Sequence, residues 1–599
     1  MLVPGPVMEG LTMRSMSTLS PVFLLALAGS ASGQAFPAVV ELSSLDGTTG
    51  FVINGIDRYD YSGFAVSSAG DFNGDGLGDL IIGAYGADPN GNAVAGETYI
   101  VFGRSTGFGA SLDLSSLDGT NGFVLNGIDP VDVSGFAVSS AGDFNGDGFD
   151  DIMIGAKRAD PNGITDAGEC SVVFGHAGSF ASSFELSSLD GANGFVFQGA
   201  DMADNSGYSV SCAGDVNGDG FDDVILGAPE VDQYPGQLSA GECYVIFGAA
   251  GGFAASMNPS SLNGANGFVL QGTFAGDVVG RSVSAAGDVN GDGIGDLIMG
   301  APGADPGGVL AAGQSFVVFG GANNFSALLP LMSLDGSNGF VVNGIDAGDS
   351  SGRSVADAGD VNGDGFDDFI IGADFAAPNG VARAGESSVL FGGPNVGAIG
   401  SIGLASLNGT NGFVINGIGL HDYSGKSVSA AGDVNGDGIG DLIIGAHQAS
   451  PNGINRAGES YVVFGGSGLG ASGSLELSSL DGTNGFVIHG IDAFDYSGIS
   501  VSSAGDVNGD GIDDLVIGAW NATPNFVNGR GQSYVVFGRS DTTPCVPDVN
   551  GDGMLTPADF TAWIAAFNAM APGCDQNGDG NCDPTDFTAW IANFNTGCP

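Results

Sequence analysis

The feature that most constrains this chain is a nine-residue acidic motif, D-x-N-G-D-G-x-x-D, that recurs seven times. The copies occupy residues 71–79, 143–151, 215–223, 288–296, 360–368, 433–441 and 506–514. Their starts are 72 or 73 residues apart, so almost no length has drifted between them. A fixed period of this kind marks an array of one structural unit, each unable to bury its apolar surface without a neighbour.

Four strand-like runs recur in every unit. In the first they are residues 63–68 (A), 80–84 (B), 97–103 (C) and 122–127 (D), with the acidic motif between A and B. β-branched and aromatic residues bounded by Gly, Asn, Asp and Pro are the punctuation of strands, and no sustained helical period interrupts them. Four strands in about 72 residues form one small sheet with two apolar faces, and radial stacking of such sheets is the β-propeller solution. The expected fold is therefore all-β, a seven-bladed propeller over residues 36–540. Two Phe columns, Phe102 to Phe537 in strand C and Phe51 to Phe486 in strand D, are expected to pack between blades. The first run, around Phe51, is a D strand with no A, B or C ahead of it, and the last, around Phe537, is a C strand with no D behind it. The N-terminal strand is thus expected to complete the last blade and leave no open edge at the seam. A solenoid has much shorter rungs, and separate sandwiches need about seven strands each.

The acidic loop followed by Leu80-Ile81-Ile82-Gly83-Ala84 and then Val101-Phe102-Gly103 resembles the FG-GAP repeat of integrin α-subunit propellers. Gly227-Ala228-Pro229 and Gly300-Ala301-Pro302 carry the Gly-Ala-Pro signature outright. The resemblance implies the propeller fold over most of the chain; function is less transferable than fold.

Positions 1, 3, 5 and 9 of the motif are oxygen donors, and Gly at 4 and 6 lets the loop turn back. Hard oxygen ligands at alternate positions suit Ca²⁺ better than Mg²⁺. The expected ligands are Asp71, Asn73, Asp75 and Asp79 in blade 1; Asp143, Asn145, Asp147 and Asp151 in blade 2; and Asp215, Asn217, Asp219 and Asp223 in blade 3. They are Asp288, Asn290, Asp292 and Asp296 in blade 4; Asp360, Asn362, Asp364 and Asp368 in blade 5; Asp433, Asn435, Asp437 and Asp441 in blade 6; and Asp506, Asn508, Asp510 and Asp514 in blade 7. An ion-free Asx turn is the alternative, but three carboxylates within nine residues repel one another unless neutralised. Such ions would staple A to B and need no open position for substrate.

The C-terminal segment, residues 548–599 after a linker at 541–547, carries two EF-hand-like loops. Asp548, Asn550, Asp552, Thr556 and Asp559 form the first, and Asp575, Asn577, Asp579, Asp583 and Asp586 the second. Phe560, Trp563, Ile564 and Phe567, and then Phe587, Trp590, Ile591 and Phe594, follow at helical spacing. The duplicated loop–helix resembles a dockerin, which implies two more calcium ions and a cohesin-like partner. Nine calcium ions would move the net charge from −56 to about −38.

Twelve Lys and Arg against 68 Asp and Glu exclude a nucleic-acid binder, which needs a basic footprint. The same imbalance argues against docking on an anionic membrane. Residues 1–33 read as an export signal, with Arg14 ahead of an apolar run too short to span a bilayer, so the mature protein is expected to be secreted or at the cell surface. Cys545, Cys574, Cys582 and Cys598 fit two disulfides in any of three connectivities, whereas Cys170, Cys212 and Cys243 are expected to be free thiols.

The D–A and B–C connections lie on the face opposite the acidic loops, and their aromatics cluster. Blade 1 brings Arg58, Tyr59, Tyr61 and Tyr85, blade 6 His421, Tyr423 and His447, and blade 7 Phe494, Tyr496 and Trp520. Blades 6, 7 and 1 are neighbours in a closed ring, so these residues form a candidate ligand patch for protein or glycan. No H-E-x-x-H arrangement marks a catalytic site. The reading is a calcium-binding adhesion or recognition module; the alternatives are a polysaccharide hydrolase or lyase and a structural surface-layer protein.

Overall fold

The computed structural model describes residues 36–232, 238–322, 325–539 and 557–569, together with Phe587 and Trp590. Residues 36–539 form seven sheets that make the blades of a β-propeller. In blade 1 the strands are A (Ala65–Gly70), B (Asp79–Ala84), C (Glu97–Val101) and D (Gly122–Asn126), paired antiparallel in that order. Strand B is buried at every position, as a continuous apolar run covered on both faces must be. A bulge between Ser68 and Gly70 ends strand A just before the acidic loop, and Gly70 takes a φ of +67° there.

The expectation of four strands per blade is corrected to five. Ser183–Glu185, from the C–D connection of blade 2, pairs in parallel with strand D of blade 1. The same short strand recurs in each sheet. Three residues are too few for alternation to register as a pattern, which is why the strand is invisible in sequence. It covers much of the outer edge that strand D would otherwise present to solvent.

The N-terminal segment closes the ring twice. Gly50–Asn54 pairs antiparallel with Gln532–Val536, placing Phe51 opposite Val535. Val39–Glu41 then supplies the parallel fifth strand of blade 6, beside Gly485–His489. Gly50 is required at the seam: its φ is +136°, and a Cβ there would lie 2.1 Å from the Val535 carbonyl oxygen.

The core is seven apolar clusters, each drawn from two adjacent blades. Between blades 1 and 2, Phe102 and Phe123 pack with Phe72 and Phe180, and the Phe123 and Phe180 rings stack at 5.2 Å. Both Phe columns therefore sit between blades as expected, at roughly 1.5–3 kcal/mol per buried ring. A third column was not singled out in the sequence. Phe108, Phe180, Phe253 and Phe325 stack on the D-strand Phe in four blades, and Phe36 does so on Phe486. Cys170, Cys212 and Cys243 are free, as expected.

Candidate functional site

At one end of the propeller the seven acidic loops join A to B. In blade 1, Asp71 accepts the Asp75 and Gly76 N–H groups at 2.9 Å, and Asp75 accepts Leu77 N–H at 3.0 Å. Asp79 is fully buried at the start of strand B, where it accepts Gly103 N–H at 2.9 Å and faces the Asn73 amide. Its equivalents Asp151, Asp223, Asp296, Asp368, Asp441 and Asp514 are likewise fully buried. Each accepts the N–H of the Gly that follows strand C, at 2.8–2.9 Å. Burial, with the charges of Asp71 and Asp75 added, pushes Asp79 up to about 8. Asp151, Asp223, Asp368, Asp441 and Asp514 also rise to about 8 and Asp296 to about 7, again chiefly through burial.

Among the described residues no three Asp, Glu, His or Cys side chains already converge as a metal cage. The carboxylates at positions 1 and 5 are turned onto backbone N–H groups instead. The donor set nevertheless fits a hard divalent cation: it is all oxygen, it crowds three carboxylates, and among the described residues no Lys or Arg pairs with the buried one.

A signal that the motif reading passed over is position 8. Asp150, Asp222, Asp367 and Asp513 reach across to the preceding blade and accept the N–H of Asp71, Asp143, Asp288 and Asp433 at 2.6–2.9 Å. Blades 1, 4 and 6 have Gly at this place, and there Gly78 and Gly295 donate their own N–H to the carbonyls of Asp506 and Asp215.

All ten residues of the expected aromatic patch fall in one chain of contacts at the opposite end. Arg58 lies over the Tyr59 ring, Tyr59 is 6.1 Å from Tyr61, and Tyr61 stacks on Tyr85 at 5.4 Å. Tyr61 also meets Trp520 at 5.0 Å, and Trp520 stacks on Tyr496 at 5.8 Å. Phe494 and His447 flank Tyr496, and Tyr423 and His421 continue beyond His447 at 6.0 and 6.2 Å. Closure of the ring is what brings blade 1 to blade 7. Tyr59 and Phe494 are widely exposed, and His447 is buried, its imidazole lowered to about 3 by burial and by nearby Lys426 and Arg353. Tyr61 and Tyr496 hold φ of +57° and +56°, a left-handed backbone that non-Gly residues adopt at a cost.

The arc extends further than the sequence suggested. Phe64, Phe136 and Tyr208 prolong it through blades 2 and 3 at ring distances of 4.8–5.2 Å, and Phe375 caps the other end against Tyr423 at 5.6 Å. In the D–A turns Asp60 and its equivalents Asp132, Asp204, Asp277 and Asp495 are buried, Asp349 and Asp422 are half-buried, and Asp60 accepts Asp57 N–H at 2.9 Å.

Near the C-terminus, Pro557–Ala569 is a helix beginning at Pro, a favoured first position. Phe560 and Trp563 meet Trp590 and Phe587 at 5.0 and 5.5 Å, and both Trp are buried. Ile564 and Phe587, both at the expected helical spacing, are 40% exposed. Asp559 falls on this helix, and the other expected C-terminal calcium ligands lie outside the described residues, as do the export signal and the linker.

The geometry defines a seven-bladed propeller with acidic hairpin loops at one end and an aromatic face at the other. The sequence matches the FG-GAP repeat over residues 62–101, 134–173, 206–246, 279–318, 352–390, 424–463 and 497–536, from the turn before strand A to the end of strand C in each blade. Residues 62–536 thus carry seven FG-GAP repeats, one in each blade of the propeller. Integrin alpha pat-2 of Caenorhabditis elegans is 33% identical over 257 residues, 41% of this chain and 18% of its own length. Integrin alpha-5 of Xenopus laevis is 29% identical over 253 residues, 41% of this chain and 20% of its own. The phosphatidylinositol-glycan-specific phospholipase D of Bos taurus is 33% identical over 171 residues, 28% and 19% of the two chains. The chain spans about a fifth of the length of these relatives. Among the described residues no helix is long and apolar enough to cross a membrane.

Proposed function

We propose that this chain is a secreted, calcium-binding propeller that acts as a non-catalytic adhesion or recognition module for protein or glycan, attached or sorted through a dockerin-like tail. The observation that carries the recognition role is the continuous aromatic face built by blades 6, 7 and 1. Aromatic rings offer large contact area with little rotamer entropy to lose, which suits sugar faces and protein hot spots. The likeness to integrin alpha chains supports the same reading. Calcium would be held by the seven acidic loops, where it would neutralise the buried carboxylates and tie A to B. The tail reading rests on the duplicated loop–helix pattern and on the two aromatic stripes meeting.

The test is the triple variant Tyr61→Asn, Tyr496→Asn, Trp520→Ala, assayed in calcium against a glycan array and for capture of extracellular-matrix proteins. Asn205 holds the place of Tyr61 in blade 3 with a φ of +55°, so Asn keeps the turn while deleting the ring. Binding is expected to fall at least about 30-fold at an unchanged melting temperature, the effect of losing aromatic anchors worth roughly 2 kcal/mol or more together. Unaltered binding would assign recognition to another surface.

A further inference from the structure

The column of residues entering strand A changes character around the ring. It reads Phe64, Phe136 and Tyr208 in blades 1 to 3, and Arg281, Arg353 and Lys426 in blades 4 to 6. Ile499 completes it in blade 7. Apart from Phe64, these side chains line an axial cavity of about 310 Å³ whose remaining wall is largely Ser and Val from the seven A strands. Strand A starts here and ends at the acidic loop, so this mouth opens on the aromatic face. A quarter of the twelve basic residues of a chain carrying net charge −56 therefore stand together at one opening.

These cations lack the partners that buried charges ordinarily have. Among the described residues the ion pairs are those of His489 with Glu41 and Glu459, so neither Arg281, Arg353 nor Lys426 makes one. Arg353 Nε is buried without a hydrogen-bond partner. Arg281 lies 4.4 Å over the Tyr208 ring, and Lys157 joins the group with Nζ 3.4 Å from the Phe136 centroid. The carboxylates that face them are Asp374 and Glu230. Burial raises the Asp374 carboxyl while Lys426, Arg353 and Arg281 lower it, and Glu230 accepts the Ser239 hydroxyl at 2.6 Å. Lys426 and Lys157 are each lowered to about 8, by burial first and then by neighbouring guanidinium groups. Arg281, Arg353, Lys426 and Lys157 against Asp374 and Glu230 leave the mouth with an excess of positive charge, which an anion would balance.

Resting on the recognition role above, we propose that this mouth binds an acidic saccharide. Its carboxylate or sulfate seats among Arg281, Arg353 and Lys426, and its hydroxyls meet the Ser-rich wall of the cavity. An acidic peptide is the less suitable occupant, because extended peptides add to open strand edges and the outer blade edges here carry the fifth strand. The hydroxyl-rich wall and a cavity of about 310 Å³ suit one sugar unit. Negative charge elsewhere on the molecule repels a polyanion and leaves this opening as its landing point, so binding weakens as salt rises.

The experiment is calorimetric titration of the full chain in calcium with tetrasaccharides of galacturonic acid, of sulfated galactose and of neutral galactose, and with a glutamate octapeptide. One or both acidic sugars are expected to bind at least tenfold tighter than the neutral one and the peptide, the two acidic probes separating carboxylate from sulfate. The double variant Arg353→Gln, Lys426→Gln is expected to remove that preference while retaining weak binding of the neutral sugar. Should that variant unfold, Ile499→Lys provides the converse, adding a fourth cation to the ring and tightening the acidic sugar several-fold. Equal affinity for acidic and neutral sugars, tighter binding of the peptide, or indifference of the acidic sugar to these substitutions would overturn the proposal. If those substitutions are silent while the Tyr61, Tyr496 and Trp520 variant loses binding, the recognition face stands and the anion site falls. If the aromatic variant too is silent, both fall.

Discussion

Chelation of calcium is expected to destabilise this protein more at pH 8 than at pH 5. The cause is the ring of buried carboxylates at position 9 of the acidic loops, which burial and like charges raise to about 8 in six blades and about 7 in the other. An acid whose folded value lies above its unfolded value of about 4 favours folding while protonated, below that lower value. Its contribution is lost as pH rises toward the folded value, because each carboxylate must then ionise without solvent or a counter-charge. The chelated protein is therefore expected to lose stability steadily from pH 4 to pH 8, by more than about 10 °C in unfolding midpoint. Bound calcium supplies the counter-charge and is expected to flatten or reverse that slope. Scanning calorimetry at four pH values, with and without chelator, checks it. A single substitution sharpens the point. Asp441→Asn removes one fully buried charge, so it is expected to stabilise the chelated protein at pH 8 and destabilise the calcium-loaded one. A change of the same sign in both conditions would show the loop to be a plain Asx turn.

The second large effect concerns closure. Asn54 accepts a hydrogen bond from the Gln532 amide at 2.8 Å, across 478 residues of intervening chain, and both side chains are half-buried. Because the two positions are register partners in an antiparallel pair, Asn54→Cys with Gln532→Cys is expected to form a disulfide spontaneously. It would close nearly the whole propeller covalently and add up to about 5 kcal/mol by loop-closure entropy. Deleting residues 36–56 should do the opposite. It removes Phe51, which is stacked on Phe108 at 4.1 Å, and leaves one edge of Gln532–Val536 unpaired. Loss of cooperative unfolding and association through the exposed edge are the expected outcomes, read by calorimetry and light scattering. A deleted chain that melts like the intact one would place the seam elsewhere.

The parts of this structure that were legible in the sequence are those that repeat with a strong local signal. Strands A to D are bracketed by Gly and Asn turns, and the imbalance between a first D and a last C was enough to infer the seam. The fifth strand was not legible, because a run such as Ser183–Glu185 is too short to show a period. The seven position-9 carboxylates could be named, but not that each is held by the N–H after strand C, a contact 24 or 25 residues away. Position 8 alternates between Asp and Gly among the blades, and its reach into the preceding blade follows only from the ring's geometry. The aromatic patch was found where aromatics crowd within one turn, as at Tyr59 and Tyr61. Its continuation and the cation collar were missed because each blade contributes one residue about every 72, and the pattern exists only when the ring is closed. Ile564 and Phe587 show the converse, residues at apolar helical spacing that stay 40% exposed.

We propose that the folded propeller depends on calcium held at its acidic loops. Equilibrium dialysis of the full chain against calcium at pH 7.5, after stripping with chelator, tests this most directly. About nine ions per chain are expected, seven in the blades and two in the tail, with affinities in the range of about 10⁻⁴–10⁻³ M for extracellular sites. Binding of about two ions or fewer, with no change in the unfolding midpoint, would contradict it.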